Sequence, residues 1–133
     1  MHLKSIILVA LIGGVVSSMT DWAFAGDWLY KRFNAHPEIW RVNAKNEWKA
    51  IAGSAAFPFL TCAVFALVCA RLNLHSYSAT LKLALAIWLI GPLPLLVTHA
   101  LFMKIQAPIV ASYSIGWLVK LIVAAVAVSF LLP

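Results

Sequence analysis

Residues 107–132 read APIVASYSIGWLVKLIVAAVAVSFLL, with a single charge, Lys120. A helix of that length is about 39 Å long, more than the roughly 30 Å of a bilayer's hydrocarbon. In oil the backbone N–H and C=O groups must pair within the segment, so a helix is the expected element.

Three more runs upstream read the same way. They span about 5–26 (SIILVALIGGVVSSMTDWAFAG), 50–70 (AIAGSAAFPFLTCAVFALVCA) and 79–103 (ATLKLALAIWLIGPLPLLVTHALFM). Short connections at Arg71–Ser78 and Lys104–Gln106 make spans two and three, and spans three and four, antiparallel neighbours. The fold class is all-α: an integral membrane four-helix bundle, one transmembrane domain over residues 1–133. The whole chain agrees: 64% of its 133 residues are hydrophobic and 11% are charged, with a mean hydropathy of +0.96. A soluble domain carries roughly 25% charge and buries only about two-thirds of its surface at this size. Composition thus excludes a soluble enzyme, a disordered tail and a disulfide scaffold.

The start of the chain has a rival reading. Lys4, an apolar run and Ala23-Phe24-Ala25 imitate a secretory signal with an A-x-A site. Asp21 and Trp22 just before that site, and the length of the run, favour a retained span.

The one substantial polar stretch, between spans one and two, is aromatic and basic. It sets Trp28, Tyr30, Trp40 and Trp48 among Lys31, Arg32, Arg41, Lys45 and Lys49, with Pro37 expected to open a short helix. Such residues beside spans sit at the membrane–water interface. The net charge of +6 is therefore read as topology and headgroup contacts, with no nucleic-acid partner. Lys31, Arg32, Arg41, Lys45, Lys49 and Lys104 on one side outnumber Lys4, Arg71 and Lys82 on the other, which places the long loop in the cytoplasm. A signal-like start argues the opposite way. The expected location is the bacterial inner membrane.

Ionisable groups inside spans are costly and mark functional candidates. Four qualify: Asp21, Lys82, His99 and Lys120. If spans one, three and four meet the loop face at one level, Asp21 lies about 7 Å deep, His99 about 6 Å and Tyr113 about 9 Å. Asp21 and His99 could then pair in one layer with Tyr113 as a further donor. The plainer reading has Asp21 at headgroups or water and His99 capping its helix. Lys120 falls about 20 Å deep, beyond snorkelling reach. Pro92 and Pro94 free the carbonyls of Trp88 and Ile90 one turn earlier, and Lys120 is expected to donate to them. The alternative is a buried cation that binds an anionic substrate, a quinone or a pigment carbonyl. Lys82 is expected to snorkel. Gly13, Gly14, Ser17 and Ser18, and Ala52, Gly53 and Ala56, have the small-residue spacing of close helix contacts. Cys62 and Cys69, two helical turns apart, are packing residues and too distant for a disulfide. No metal or nucleotide motif occurs, and the residues leave the cofactor unknown.

Several of these stretches resemble a small bacterial membrane family catalogued as a domain of unknown function, DUF1761-like. Span three, AIWLIGPLPLLVTHALF, is similar to its W…P…(T)N-x-LF stretch, and SYSIGWLVKLIVAAV to its GYWLV segment. TDWAFAGDWLYKRF resembles its tryptophan-bearing first helix and basic loop. His99 stands where an asparagine is commoner, and Ser114-Ile115-Gly116-Trp117 replaces an uninterrupted GYW. The resemblance implies four spans and no catalytic residue.

The sequence reveals no reaction. The first expectation is a non-enzymatic accessory or structural subunit, packed with other membrane subunits or as a homo-oligomer in the lipid bilayer. The alternative is a small proton-linked transporter using Asp21 and His99, as in small multidrug exporters with one acid in the first helix. An enzyme using Asp21, His99 and Tyr113 as acid–base groups has too few converging polar residues.

Overall fold

The computed structural model describes residues 3–26, 29, 31, 32, 35, 38 and 47–133. The described residues form helices α1 (Leu3–Ala25), α2 (Glu47–Arg71), α3 (Tyr77–Ile90), α4 (Pro92–Phe102) and α5 (Ala107–Leu131). They make four runs long and apolar enough to cross a membrane, with α3 and α4 counted as one. The fold is thus an all-α four-helix bundle of membrane-spanning character. The third span, expected as one rod over 79–103, breaks at Gly91. Pro92 has no N–H to continue α3 and instead opens α4, where its fixed φ suits a first turn.

Local chemistry sets the other ends. Asn73 adopts a left-handed φ of 52° just past α2, and Leu74 N–H donates back to the Cys69 carbonyl at 2.9 Å. That pattern closes a helix C-terminus. Ser76 then caps α3 by accepting from the Ala79 N–H at 3.3 Å.

Helix α5 is the hub and touches each of the other four helices, while α1 packs on both α2 and α5. The core gathers Val9, Cys62, Phe65, Ala66, Cys69, Ala84, Leu121, Ala124, Ala125, Val128 and Leu132. These sit at the end of the bundle that holds the α2–α3 turn. Alanines at the contact let backbones approach closely, which is how helices gain packing in lipid, where the hydrophobic effect offers little between them. Thr80 Oγ1 adds a bond to the Ala125 carbonyl at 3.2 Å, and the Trp88 indole N–H donates to the Ser114 carbonyl at 2.9 Å.

The opposite end is open. Helix α4 buries no residue, and residues 48–57 of α2 are all exposed. The two small-residue stripes therefore differ. Gly13 and Gly14 are spent inside the chain, against Cys62 and Phe59, whereas Gly53 faces open space. Gly53→Ala is expected to gain about 0.5–1 kcal/mol from helix propensity. Gly13→Ala would bring a methyl within 3.0 Å of Cys62 Sγ and is expected to lose stability. Thermal unfolding in detergent micelles reads both.

Candidate functional site

The register of α1 against α5 decides what the polar residues can do. Ala127 lies beside Gly13, Lys120 beside Asp21, and Ser112 beside Phe24. This is an antiparallel pairing fixed at three heights. The Ser112 hydroxyl donates to the Phe24 carbonyl at 2.5 Å. Ser112 is the sixth residue of α5, so α1 ends about 8 Å below the level of Ala107. Beyond α1, Leu29 is 1% exposed, and Arg32 Nη1 donates to Gln106 Oε1 at 2.7 Å, at the N-cap of α5.

That offset corrects the expected depths. Asp21 does not lie near the loop face; it stands level with Lys120, about 20 Å below Ala107 and about 17 Å from Leu131. Lys120 Nζ meets Asp21 Oδ2 at 2.8 Å. The two side chains are 7% and 32% exposed, respectively. The ammonium also lies over the Trp117 ring, 4.4 Å from its centroid, a cation–π contact strengthened by low dielectric. Ser17 Oγ and Cys62 Sγ, 3.7 Å apart, lie one turn below Asp21 on α1. Cys62 is within electrostatic reach of both charges.

Lys120 was expected to donate to the carbonyls of Trp88 and Ile90. The Trp88 indole bonds at Ser114, six residues or about 9 Å from Lys120 along α5. The amine takes the carboxylate instead.

The grouping of Asp21 with His99 and Tyr113 does not survive either. Leu93, Val97, Ala100 and Leu101 of α4 and Ala107, Val110, Ala111 and Ser114 of the antiparallel α5 line a common groove. His99 thus stands beside the first turn of α5, some 15 Å or more from Asp21 along the axis. Its side chain is exposed. Its position in the last turn of α4 is where a basic group complements the helix dipole. Tyr113 shares the stripe of Trp117 and Lys120 but is two turns away and 38% exposed. Lys82 is exposed near the start of α3, as snorkelling requires. Of the interfacial set, Lys31 and Trp48 are exposed and Arg32 is half-buried. Trp28, Tyr30, Trp40 and Arg41 lie outside the described residues, as does Pro37, which was expected to open a short helix.

One signal for the ion pair was present in the sequence. The spans hold one acid and one deep base, and in a medium without water the cheapest partner for a charge is its opposite. Among the described residues no three metal-ligating side chains come together. No family model, curated protein or solved structure matches the chain.

Proposed function

We propose that this chain is a small proton-linked membrane carrier whose working pair is Asp21 and Lys120. The observation that carries the reading is one acid and one amine in contact at 2.8 Å near the middle of the bundle, with the carboxylate 32% exposed. Ion pairs held at such depth cost stability and mark substrate or proton paths. A partly open carboxylate is able to take up and give back a proton; a sealed one is not. The mid-bundle level also fits the comparison with small exporters that carry an acid in their first helix. His99, near the loop face, has no part in this reading. The setting is the bacterial inner membrane, with the basic loop on the cytoplasmic side, by the Lys/Arg count.

The test is reconstitution into vesicles loaded with a pH-sensitive dye. Wild-type protein is expected to couple proton movement to a solute gradient. The double variant Asp21→Asn/Lys120→Met, which removes both charges together, is expected to stay folded and fall to the level of protein-free vesicles. Unchanged flux in that variant removes the reading.

A second reading, an accessory subunit in a larger assembly, is supported by the unpacked half of α2. Residues 48–57 are exposed all round and include Ala52, Gly53 and Ala56, a spacing suited to another helix. Cysteine introduced at Ala52 or Ala56 is then expected to cross-link to a neighbouring subunit in native membranes. Full cellular activity of a monodisperse lone chain counts against it.

A further inference from the structure

Lys120 already holds a carboxylate, and the burial of the pair is lopsided. The ammonium is enclosed, with Trp117 closing one side at 4.4 Å. The acid is the exposed partner. A ligand that reaches the ammonium therefore comes from the Asp21 side and takes the place of the Asp21 carboxylate.

Charge balance then selects the ligand. Protonated Asp21 leaves an ammonium without a counter-charge in the middle of the membrane, which is strongly unfavourable. A single negative charge restores neutrality. A dianion overshoots, and an organic cation adds to the excess. A carboxylate matches what the site already holds in shape and donor distance. Resting on the carrier reading above, we propose that the solute is a small monocarboxylate, moved together with one proton in an electroneutral step. Written out, Asp21-COO⁻ paired with Lys120-NH₃⁺, plus H⁺ and RCOO⁻, becomes Asp21-COOH and RCOO⁻ paired with Lys120-NH₃⁺. No covalent bond to carbon forms or breaks, and total charge is zero before and after.

The surroundings are consistent with that exchange. Above the buried Pro58, residues 48–57 of α2 are exposed, so α2 gives the pair no cover over that stretch on the loop side. Trp117 offers an apolar wall for a short R group. On α2 the titratable group within reach of the pair is Cys62. From α3 and α4, the titratable groups Tyr77, Lys82 and His99 are all exposed and lie at other levels.

Pyruvate is a suitable probe, because its strong acidity keeps passive leakage low. In vesicles holding the full chain, an inward proton gradient is expected to drive labelled pyruvate inward. Dye-reported protons should accompany it one for one, and a potential imposed with valinomycin should leave the rate unchanged. Asp21→Asn keeps the ammonium but loses the proton carrier. It is expected to retain pyruvate exchange and lose gradient-driven accumulation, a split that a purely structural ion pair would not produce. Asp21→Asn/Lys120→Met is expected to lose both. If protons move in an Asp21-dependent way with tetraphenylphosphonium and with none of pyruvate, lactate or benzoate, the monocarboxylate inference is overturned and the carrier reading stands. If no solute in the panel moves protons, both fall.

Discussion

Asp21→Asn is expected to destabilise the protein by about 3–5 kcal/mol, because it leaves the Lys120 ammonium enclosed without its counter-charge. The low end of that range is the better guide, since the carboxylate is 32% exposed and some of its interaction is screened. Lys120→Met is expected to be destabilising too, for the mirrored reason. The double variant Asp21→Asn/Lys120→Met is expected to recover most of the loss, because a thioether chain of similar volume fills the space over Trp117 and no charge remains to be solvated. Chemical or thermal unfolding of all four proteins in the same detergent completes the cycle, and the non-additivity measures the pair directly. Additive losses would mean that the two side chains do not interact.

The second large effect is expected at Gly14. A Cβ there would run into Phe59 Cδ1 and stand 2.7 Å from Cγ, closer than atoms pack. Gly14→Ala therefore forces the ring or the helix aside, at about 1–3 kcal/mol for an overpacked contact. The loss should fall in the α1–α2 seam, which also positions Ser17 against Cys62 at 3.7 Å, one turn below Asp21. Phe59→Leu in the Gly14→Ala background is expected to restore stability, because the flexible side chain can vacate the space. If Gly14→Ala is neutral on its own, the seam is looser than its geometry implies.

Much of the architecture was legible in the residues. Long apolar runs fix helices locally, so span four was read at 107–132 and found at Ala107–Leu131, and span one was read at 5–26 and found at Leu3–Ala25. What one helix does beside another was not legible. Depth was reckoned by letting spans end at a common level, but α1 stops beside Ser112, and it is Arg32, seven residues past the end of α1, that meets Gln106 at the head of α5. That offset follows from the close seating of Gly13 and Gly14 on α2 and of Phe24 on α5, interactions between residues far apart in the chain. It converts an acid near one face into an acid in the middle. The same shift separates Asp21 from His99 and supplies Lys120 with a carboxylate in place of backbone carbonyls. Pro92 and Pro94 were read as freeing carbonyls within one rod, and the break at Gly91 was not anticipated; the bond of the neighbouring Trp88 indole to Ser114 depends on α5 lying alongside.

Contact between Asp21 and Lys120 in a lipid bilayer is measurable by solid-state NMR. Rotational-echo dephasing would be recorded between the Asp21 ¹³Cγ and the Lys120 ¹⁵Nζ in vesicles. With the oxygen and nitrogen 2.8 Å apart, strong dephasing is expected, corresponding to a separation within about 4 Å, and it should vanish in Lys120→Met. A spectrum with no such coupling in the wild-type protein would mean that acid and amine stand apart in the membrane, and the mid-bundle ion pair would not exist.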